Sequence, residues 1–240
     1  MYHQINVDQA LAYAAGESIE RVLVVGSGQG ADILALRHRL GPGPLIVGVD
    51  IDIHADSFPE IPNTLLLQTD ITKDPILGNC FDLAYSFATF EHIHALERGW
   101  QAMLDVLRPG GLLWSVASPL WCSPYGHHKP MLHGHPWAHL LHPDPVALHL
   151  FCLTNNIQAD DGIDMIHHVN YIFHPDCFNR HPASAYHNAA LSLRNAQLEI
   201  NEFDTLPSED LEDPIAVLLA RGHSRHDLLA QTHRLVARRL

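Results

Sequence analysis

Residues 22–30 read Val-Leu-Val-Val-Gly-Ser-Gly-Gln-Gly, and no other stretch restricts the fold as strongly. Four apolar residues, Val22 to Val25, make a short buried strand, which breaks into Gly26, Gly28 and Gly30. The run Ala31-Asp-Ile-Leu-Ala-Leu-Arg-His-Arg-Leu40 then has the spacing of an amphipathic helix. A strand that breaks into glycines and opens a helix lets backbone N–H groups approach a ligand closely. The next apolar run, Leu45 to Val49, ends at Asp50, which sets a carboxylate beside the glycine turn. A carboxylate there accepts hydrogen bonds from ribose hydroxyls. The start of the chain therefore reads as a nucleoside-cofactor site.

Gly26-x-Gly28-x-x-Ala31, with Asp50 downstream, satisfies the dinucleotide fingerprint, so a nicotinamide-dependent oxidoreductase stands as one reading. The later sequence separates it from another. Thr69-Asp70 follows the apolar run Leu65 to Leu67, and Phe81-Asp-Leu-Ala-Tyr-Ser86 leads into Phe90-Glu91-His92. Leu104-Asp-Val-Leu-Arg-Pro-Gly-Gly111 then runs into Leu112-Leu-Trp-Ser-Val116. In order and spacing these pieces, from Val22 to Ser118, resemble the class I S-adenosylmethionine-dependent methyltransferases of small-molecule type. The resemblance implies an α/β fold with a doubly wound, Rossmann-like, seven-stranded sheet whose last strand is antiparallel. It implies S-adenosyl-L-methionine as cofactor, held by Gly26, Ser27, Gly28, Gly30, Asp50, Ile51, Asp70, Ile71 and Phe87, with Asp70 at the adenine amino group. One position departs from the family pattern. Val24 stands where the family has an acidic residue that organises the turn and the methionine amino group. A cofactor-binding relative without turnover is the alternative from outside the enzymes.

A length of 240 residues suits one domain over 1–240, with room for a large insertion. No apolar run approaches the ~20 residues that span a bilayer, and the first residues lack the charged-then-apolar signal pattern. A cytoplasmic protein without membrane partners is expected. The formal charge of −13 argues against nucleic acid as a partner. The four cysteines contain no CxxC pair, so no disulfide framework is expected, and Cys80 is expected in the core. A small-molecule acceptor is the expected partner, with room for a homodimer.

Periodicity predicts a helix over 7–20, strands near 21–25, 45–49, 64–68, 81–87 and 111–117, and helices near 29–40 and 92–108. Pro59, Pro62 and Pro75 punctuate the loops. The alternation points to a parallel sheet. After Ser118 it stops. Residues 119–182 are rich in Pro, His and aromatics and read as a substrate-binding lid inserted after the fifth strand. Residues 183–195 return to helix and 197–203 alternate as a half-buried strand. Pro214 to Arg221 reads as a last buried strand. Residues 224–240, with Arg225, Arg234, Arg238 and Arg239, read as a solvated helix packing Leu228, Leu229 and Leu235 on the domain.

The chain has 20 histidines, and His127, His128, His133, His135, His139 and His142 crowd one segment. They can bind a metal, work as acid and base, or simply bond to backbone carbonyls. The pair His133-x-His135 is the weak metal alternative, since no Asp or Glu lies between Ser118 and Leu141; no metal is expected. Some small-molecule methyltransferases carry a similar Gly-His-His segment at this place, here Gly126-His127-His128. With the interleaved aromatics, Trp121, Tyr125, His127, His128 and Trp137 are the expected acceptor-binding residues. Methyl transfer to oxygen needs a proton acceptor of near-neutral pKa. His92, just beyond the fourth strand, and His128, from the lid, are the two candidate bases.

Overall fold

The computed structural model describes residues 2–53, 60–74, 76, 78–159, 161–207 and 211–240. Pro59 and Pro75 lie outside them. The chain opens with helix α1 (Tyr2–Tyr13) and then alternates: β1 (Arg21–Val25), α2 (Ala31–Leu40), β2 (Leu45–Asp50), β3 (Thr64–Gln68), β4 (Phe81–Phe87), α3 (Leu96–Asp105) and β5 (Leu107–Ala117). Helices α4 (Ala138–Leu141), α5 (Pro145–Thr154), α6 (Met165–Phe173) and α7 (Ala183–Leu191) follow. Strand β6 (Ala196–Thr205), helices α8 (Glu212–Ala220) and α9 (Arg225–Leu229), and strand β7 (Ala230–Arg239) complete the chain. The seven strands form one sheet in the order β3-β2-β1-β4-β5-β7-β6. Strand β7 runs antiparallel to both β5 and β6. The order reverses between β1 and β4, and α/β sheets bind ligands at such a switch point, beyond the carboxyl ends of the strands.

Each sheet face buries its own core. Val22, Val24, Tyr85, Trp114 and Val236 pack with Val7 and Ala10 of α1 and Ile33 and Leu36 of α2. Leu23, Ala84, Leu113 and Leu235 pack with Trp100 and Met103 of α3 and Tyr186 and Ala190 of α7. A third cluster stands apart from the sheet. It joins Trp121, Leu132, Trp137, Leu140, Leu148, Cys152, Val169, Ile172 and Phe178 to Ile215, Leu218 and Leu228. Two stretches build it, one after β5 and one between β6 and β7. No helix among the described residues is long and apolar enough to cross a membrane. The four cysteines are free, and Cys80 is half-buried against the core.

Four expectations are corrected. Pro214 to Ala220 is helix, not strand. A short apolar run is ambiguous by periodicity alone. Here Glu212 and Asp213 favour the first turn of a helix, and Ile215 and Leu218, three apart, both face the third cluster. The last strand is instead residues 230–239, where a solvated helix was expected. Two of its arginines pair with carboxylates of β6, Arg234 with Asp204 at 2.6 Å and Arg238 with Glu199 at 2.7 Å, and Arg238 also reaches Glu17 of the α1–β1 loop at 2.5 Å. Helix α1 lies five residues earlier than predicted and ends before Gly16, whose φ of +91° turns the chain. Helix α3 starts at Leu96 rather than 92. Residues 90–92 make only a turn, in which the Phe90 carbonyl accepts from the Ile93 N–H at 3.3 Å, and Asn179 Nδ2 donates to the carbonyls of Phe90 (2.7 Å) and Ile93 (3.0 Å).

Candidate functional site

The glycine turn stands at the switch point. Gly26 has φ +76°, and a Cβ there would lie 1.9 Å from Thr89 Oγ1, so glycine lets the turn after β4 close against the turn after β1. Gly28 has φ +47° and nothing within 4 Å of where its Cβ would be. Its backbone therefore faces open space. The Gly28 N–H donates to Asp50 Oδ2 at 2.8 Å, and Asp50 Oδ1 accepts from Asp52 N–H at 3.1 Å. The Ser27 hydroxyl is buried and has no hydrogen-bond partner. Gly30 closes the turn with φ 86° and caps α2.

Asp70 sits beyond β3. Its Oδ1 accepts from the Thr72 N–H at 2.9 Å and from the Thr72 hydroxyl at 2.6 Å, and Lys73 Nζ lies 2.8 Å from Oδ2. Burial works to raise its pKa, but these contacts outweigh it and hold the carboxyl below its usual value. Ile51 is exposed, Ile71 is buried in the core, and Phe87 is half-buried, edge-on to His3 of α1 at 5.8 Å. An open glycine cradle, a partnerless buried hydroxyl and two carboxylates at successive strand ends fit a nucleoside cofactor. Val24 is fully buried and apolar, yet a carboxylate is buried close by. Tyr85, its neighbour across β4, donates to Asp32 Oδ1 at 3.0 Å, and His3 Nδ1 reaches the same oxygen at 2.9 Å.

The fold brings His92 and His128 together. Their ring centroids are 5.5 Å apart, and Phe178 packs on both, at 5.1 Å and 4.6 Å. His92 Nδ1–H donates to the Cys177 carbonyl and His128 Nε2–H donates to the Pro119 carbonyl at 2.9 Å. A carbonyl only accepts, so these bonds fix the tautomers and leave lone pairs on His92 Nε2 and His128 Nδ1. Burial lowers the pKa of His92. Burial, then the neighbouring His92, pushes His128 down to about 3. Glu91, which the sequence places in the Phe90-Glu91-His92 segment without a role, completes the group. Its carboxylate is buried, with Oε1 3.9 Å from His92 Nε2. Burial pushes its pKa up to about 8. The N–H groups of Glu91 and Ser118 face the carboxylate, but neither oxygen has a hydrogen-bond partner.

The other expected acceptor residues are less exposed. Trp137 and His127 are fully buried. Trp137 Nε1 donates to the carbonyls of Cys122 (3.0 Å) and Leu228 (3.2 Å), while His127 Nδ1 accepts from the Lys129 N–H at 3.0 Å. Trp121 packs against Phe178 at 5.6 Å and lies under Arg180. Tyr125 is half-buried beside His133 at 5.3 Å. His133 is exposed, and His135 stands edge-on to Phe151. Among the described residues, neither joins a set of three potential metal ligands.

Residues 23–115 match the family model of a methyltransferase domain. A similar fold occurs in an S-adenosylmethionine-dependent methyltransferase from Mesorhizobium loti, with a TM-score of 0.56, 17% identity and 98% of each chain covered. It occurs in coclaurine N-methyltransferase bound to N-methylheliamine and SAH, with a TM-score of 0.57, 13% identity, and 99% of this chain and 70% of that one covered. It occurs again in geranyl diphosphate methyltransferase in complex with SAM, with a TM-score of 0.55, 12% identity, and 99% and 85% covered. No curated protein matches the sequence. Residues 23–115 thus match a methyltransferase domain, and the strand order with its reversed last strand gives the chain the fold of these S-adenosylmethionine-dependent methyltransferases.

Proposed function

We propose that the protein methylates an oxygen of a small-molecule acceptor, and that a histidine, His92 ahead of His128, takes the hydroxyl proton. The acceptor binds beyond the carboxyl ends of β4 and β5, under the cover of residues 119–182. Bound S-adenosylmethionine supplies an electrophilic methyl group on a positively charged sulfur. Gly26, Ser27, Gly28 and Gly30 would cradle it, with Asp50 at the ribose, Asp70 at the adenine, and Ile51, Ile71 and Phe87 flanking. The chain's own part is to hold the acceptor within roughly 3 Å of the reacting carbon and to remove its proton.

The observation that carries this reading is the fixed tautomer of His92. Its Nδ1–H is committed to the Cys177 carbonyl, so the basic Nε2 is held at the strand edge where the acceptor must come. His128 is the weaker base, since burial suppresses its proton uptake further. Phe178, Trp121 and Tyr171 supply apolar walls around the pair. A dry wall of that kind suits a transition state in which charge disperses. This reading requires no metal.

His92→Ala should lower turnover about 10²–10⁴-fold and leave the affinity for S-adenosylmethionine unchanged. Turnover in the native protein should rise with pH as His92 loses its proton. Because burial lowers its pKa, the midpoint should fall below the usual 6.5. Single-turnover methyl transfer to a panel of hydroxylated small molecules measures both. An equal loss of cofactor affinity in His92→Ala, or a rate flat with pH, would overturn the assignment.

A further inference from the structure

Glu91, His92 and His128 each offer one ligand atom, and these three atoms lie within 4.8 Å of one another. We infer that this group is a binding site for a single divalent cation of the first transition series or zinc, which neither the family nor the proton-transfer role assigns.

Three observations converge. The Glu91 carboxylate is 2% exposed, and neither of its oxygens has a hydrogen-bond partner. A buried carboxyl without a partner is costly to keep, and a cation is what its geometry invites. The two imidazoles are oriented as metal ligands are. Each donates one ring N–H to a backbone carbonyl, Cys177 for His92 and Pro119 for His128. That outer bond fixes the tautomer and leaves a lone pair on the other ring nitrogen, His92 Nε2 and His128 Nδ1. The donor set is two imidazole nitrogens and one carboxylate oxygen. It suits Zn²⁺, Fe²⁺, Co²⁺ or Mn²⁺ better than Mg²⁺ or Ca²⁺, which favour oxygen throughout.

Distances agree with a site that tightens on loading. Ligand atoms about 2.0–2.2 Å from one ion are separated from each other by roughly 3.0–3.5 Å. Glu91 Oε1 and His92 Nε2 are already at 3.9 Å. The His128 ligand atom lies within 4.8 Å of both. Phe178 backs both rings, while the His92 side chain keeps 35% of its surface open. Protein therefore occupies one side of the ion and leaves coordination positions free on the other. His128 is held here with φ +55°, a left-handed conformation that residues other than glycine rarely adopt.

The site goes beyond the proton-transfer role and competes with it for the same two lone pairs. In the loaded protein the ion would lower the pKa of the acceptor hydroxyl, whose proton would pass to solvent; in the metal-free protein His92 would take that proton. The test needs neither cofactor nor acceptor, so its outcome is independent of the methyl-transfer reading. The full chain, stripped with a chelator, is titrated with Co²⁺ and followed by visible ligand-field absorption, and with Zn²⁺ by calorimetry. One ion per chain is expected at this site. Glu91→Gln and His128→Ala should each weaken it about 100-fold or more, since loss of an outer-shell partner alone costs 10–100-fold. Should Glu91→Gln fail to fold, His128→Ala carries the same forecast. The double variant His133→Ala/His135→Ala should keep the spectrum. No saturable Co²⁺ spectrum, or one that persists in Glu91→Gln and His128→Ala and vanishes in the His133/His135 variant, overturns the proposal.

Discussion

The strands from β1 to β5 and the helical cluster beside them use polar groups in opposite ways. In the sheet, most backbone hydrogen bonds go to neighbouring strands, and most of the buried side chains are apolar. In the helical cluster and its joints to the sheet, the backbone is irregular, and side chains answer its carbonyls. Trp137 serves Cys122 and Leu228, His139 serves Trp121, His128 serves Pro119, His92 serves Cys177, His181 serves His94, and Asn179 serves Phe90 and Ile93. A histidine-rich composition is thus, for several of these residues, a means of satisfying buried carbonyls that no ladder reaches. It also explains how two histidines come to be oriented at the strand edge. The chemistry of the site borrows bonds that irregular backbone needs in any case.

If that contrast is real, the helical cluster should depend on single side chains more than the sheet does. Trp137 is fully buried at its centre. Trp137→Ala removes its packing and strands two carbonyls, so it should lower stability by about 3–5 kcal/mol in denaturant unfolding. Binding of S-adenosylmethionine should change little where the variant remains folded. A parallel collapse of cofactor affinity would mean that the two regions fold and bind as one unit. On the sheet side, Asp50→Ala should weaken cofactor binding by roughly 1–3 kcal/mol, because ribose hydroxyls and the Gly28 N–H lose their acceptor. Calorimetry with S-adenosylmethionine, and with NADH as the control, measures it. Saturable NADH binding without heat from the sulfonium compound would contradict the methyltransferase reading.

The smallest effect tests the lower edge of the sheet. Asp82 accepts from the Glu20 and Arg21 N–H groups at 2.8 Å each and from Arg108 Nε at 2.6 Å. Burial works to raise its pKa, but Arg108 and the two N–H groups win, and the folded value lies below the ordinary 3.8. A carboxyl whose folded pKa is depressed contributes stability that is full above the unfolded value and lost as pH falls through the folded one. Asp82→Asn should therefore destabilise by about 1 kcal/mol near pH 7. The difference from the native protein should shrink on acidification below 3.8. A gap that stays constant down to that range would show that the loss is one of shape rather than charge.

Periodicity read the parallel half of the sheet well, because each strand there is a short apolar run bounded by turn residues. It misread the last two elements for one shared reason. Pro214 to Ala220 is apolar enough for either state, and its acidic first turn and three-residue burial rhythm decide for helix only against the third cluster. The arginines of 230–239 look like a helical surface until Asp204 and Glu199 of β6 stand across from them. The sequence singled out His92 and His128 by position, and the fold sets their rings 5.5 Å apart. Glu91 was visible in its segment but had no role until burial removed its partners. Phe178, Asn179 and the Cys177 carbonyl lie more than eighty residues along the chain from His92 and gave no local signal.

By itself the sequence determined the strand, glycine turn and helix of the candidate cofactor half. Glycines at Gly26, Gly28 and Gly30, and carboxylates at Asp50 and Asp70, carry their meaning in spacing, because strand, turn and helix are local structures. Only the tertiary structure decided which histidines meet, which carbonyls they serve, and that Glu91 is buried between them. Those facts depend on contacts between distant segments, where irregular backbone leaves the pairing to side-chain hydrogen bonds rather than to any repeat a sequence displays.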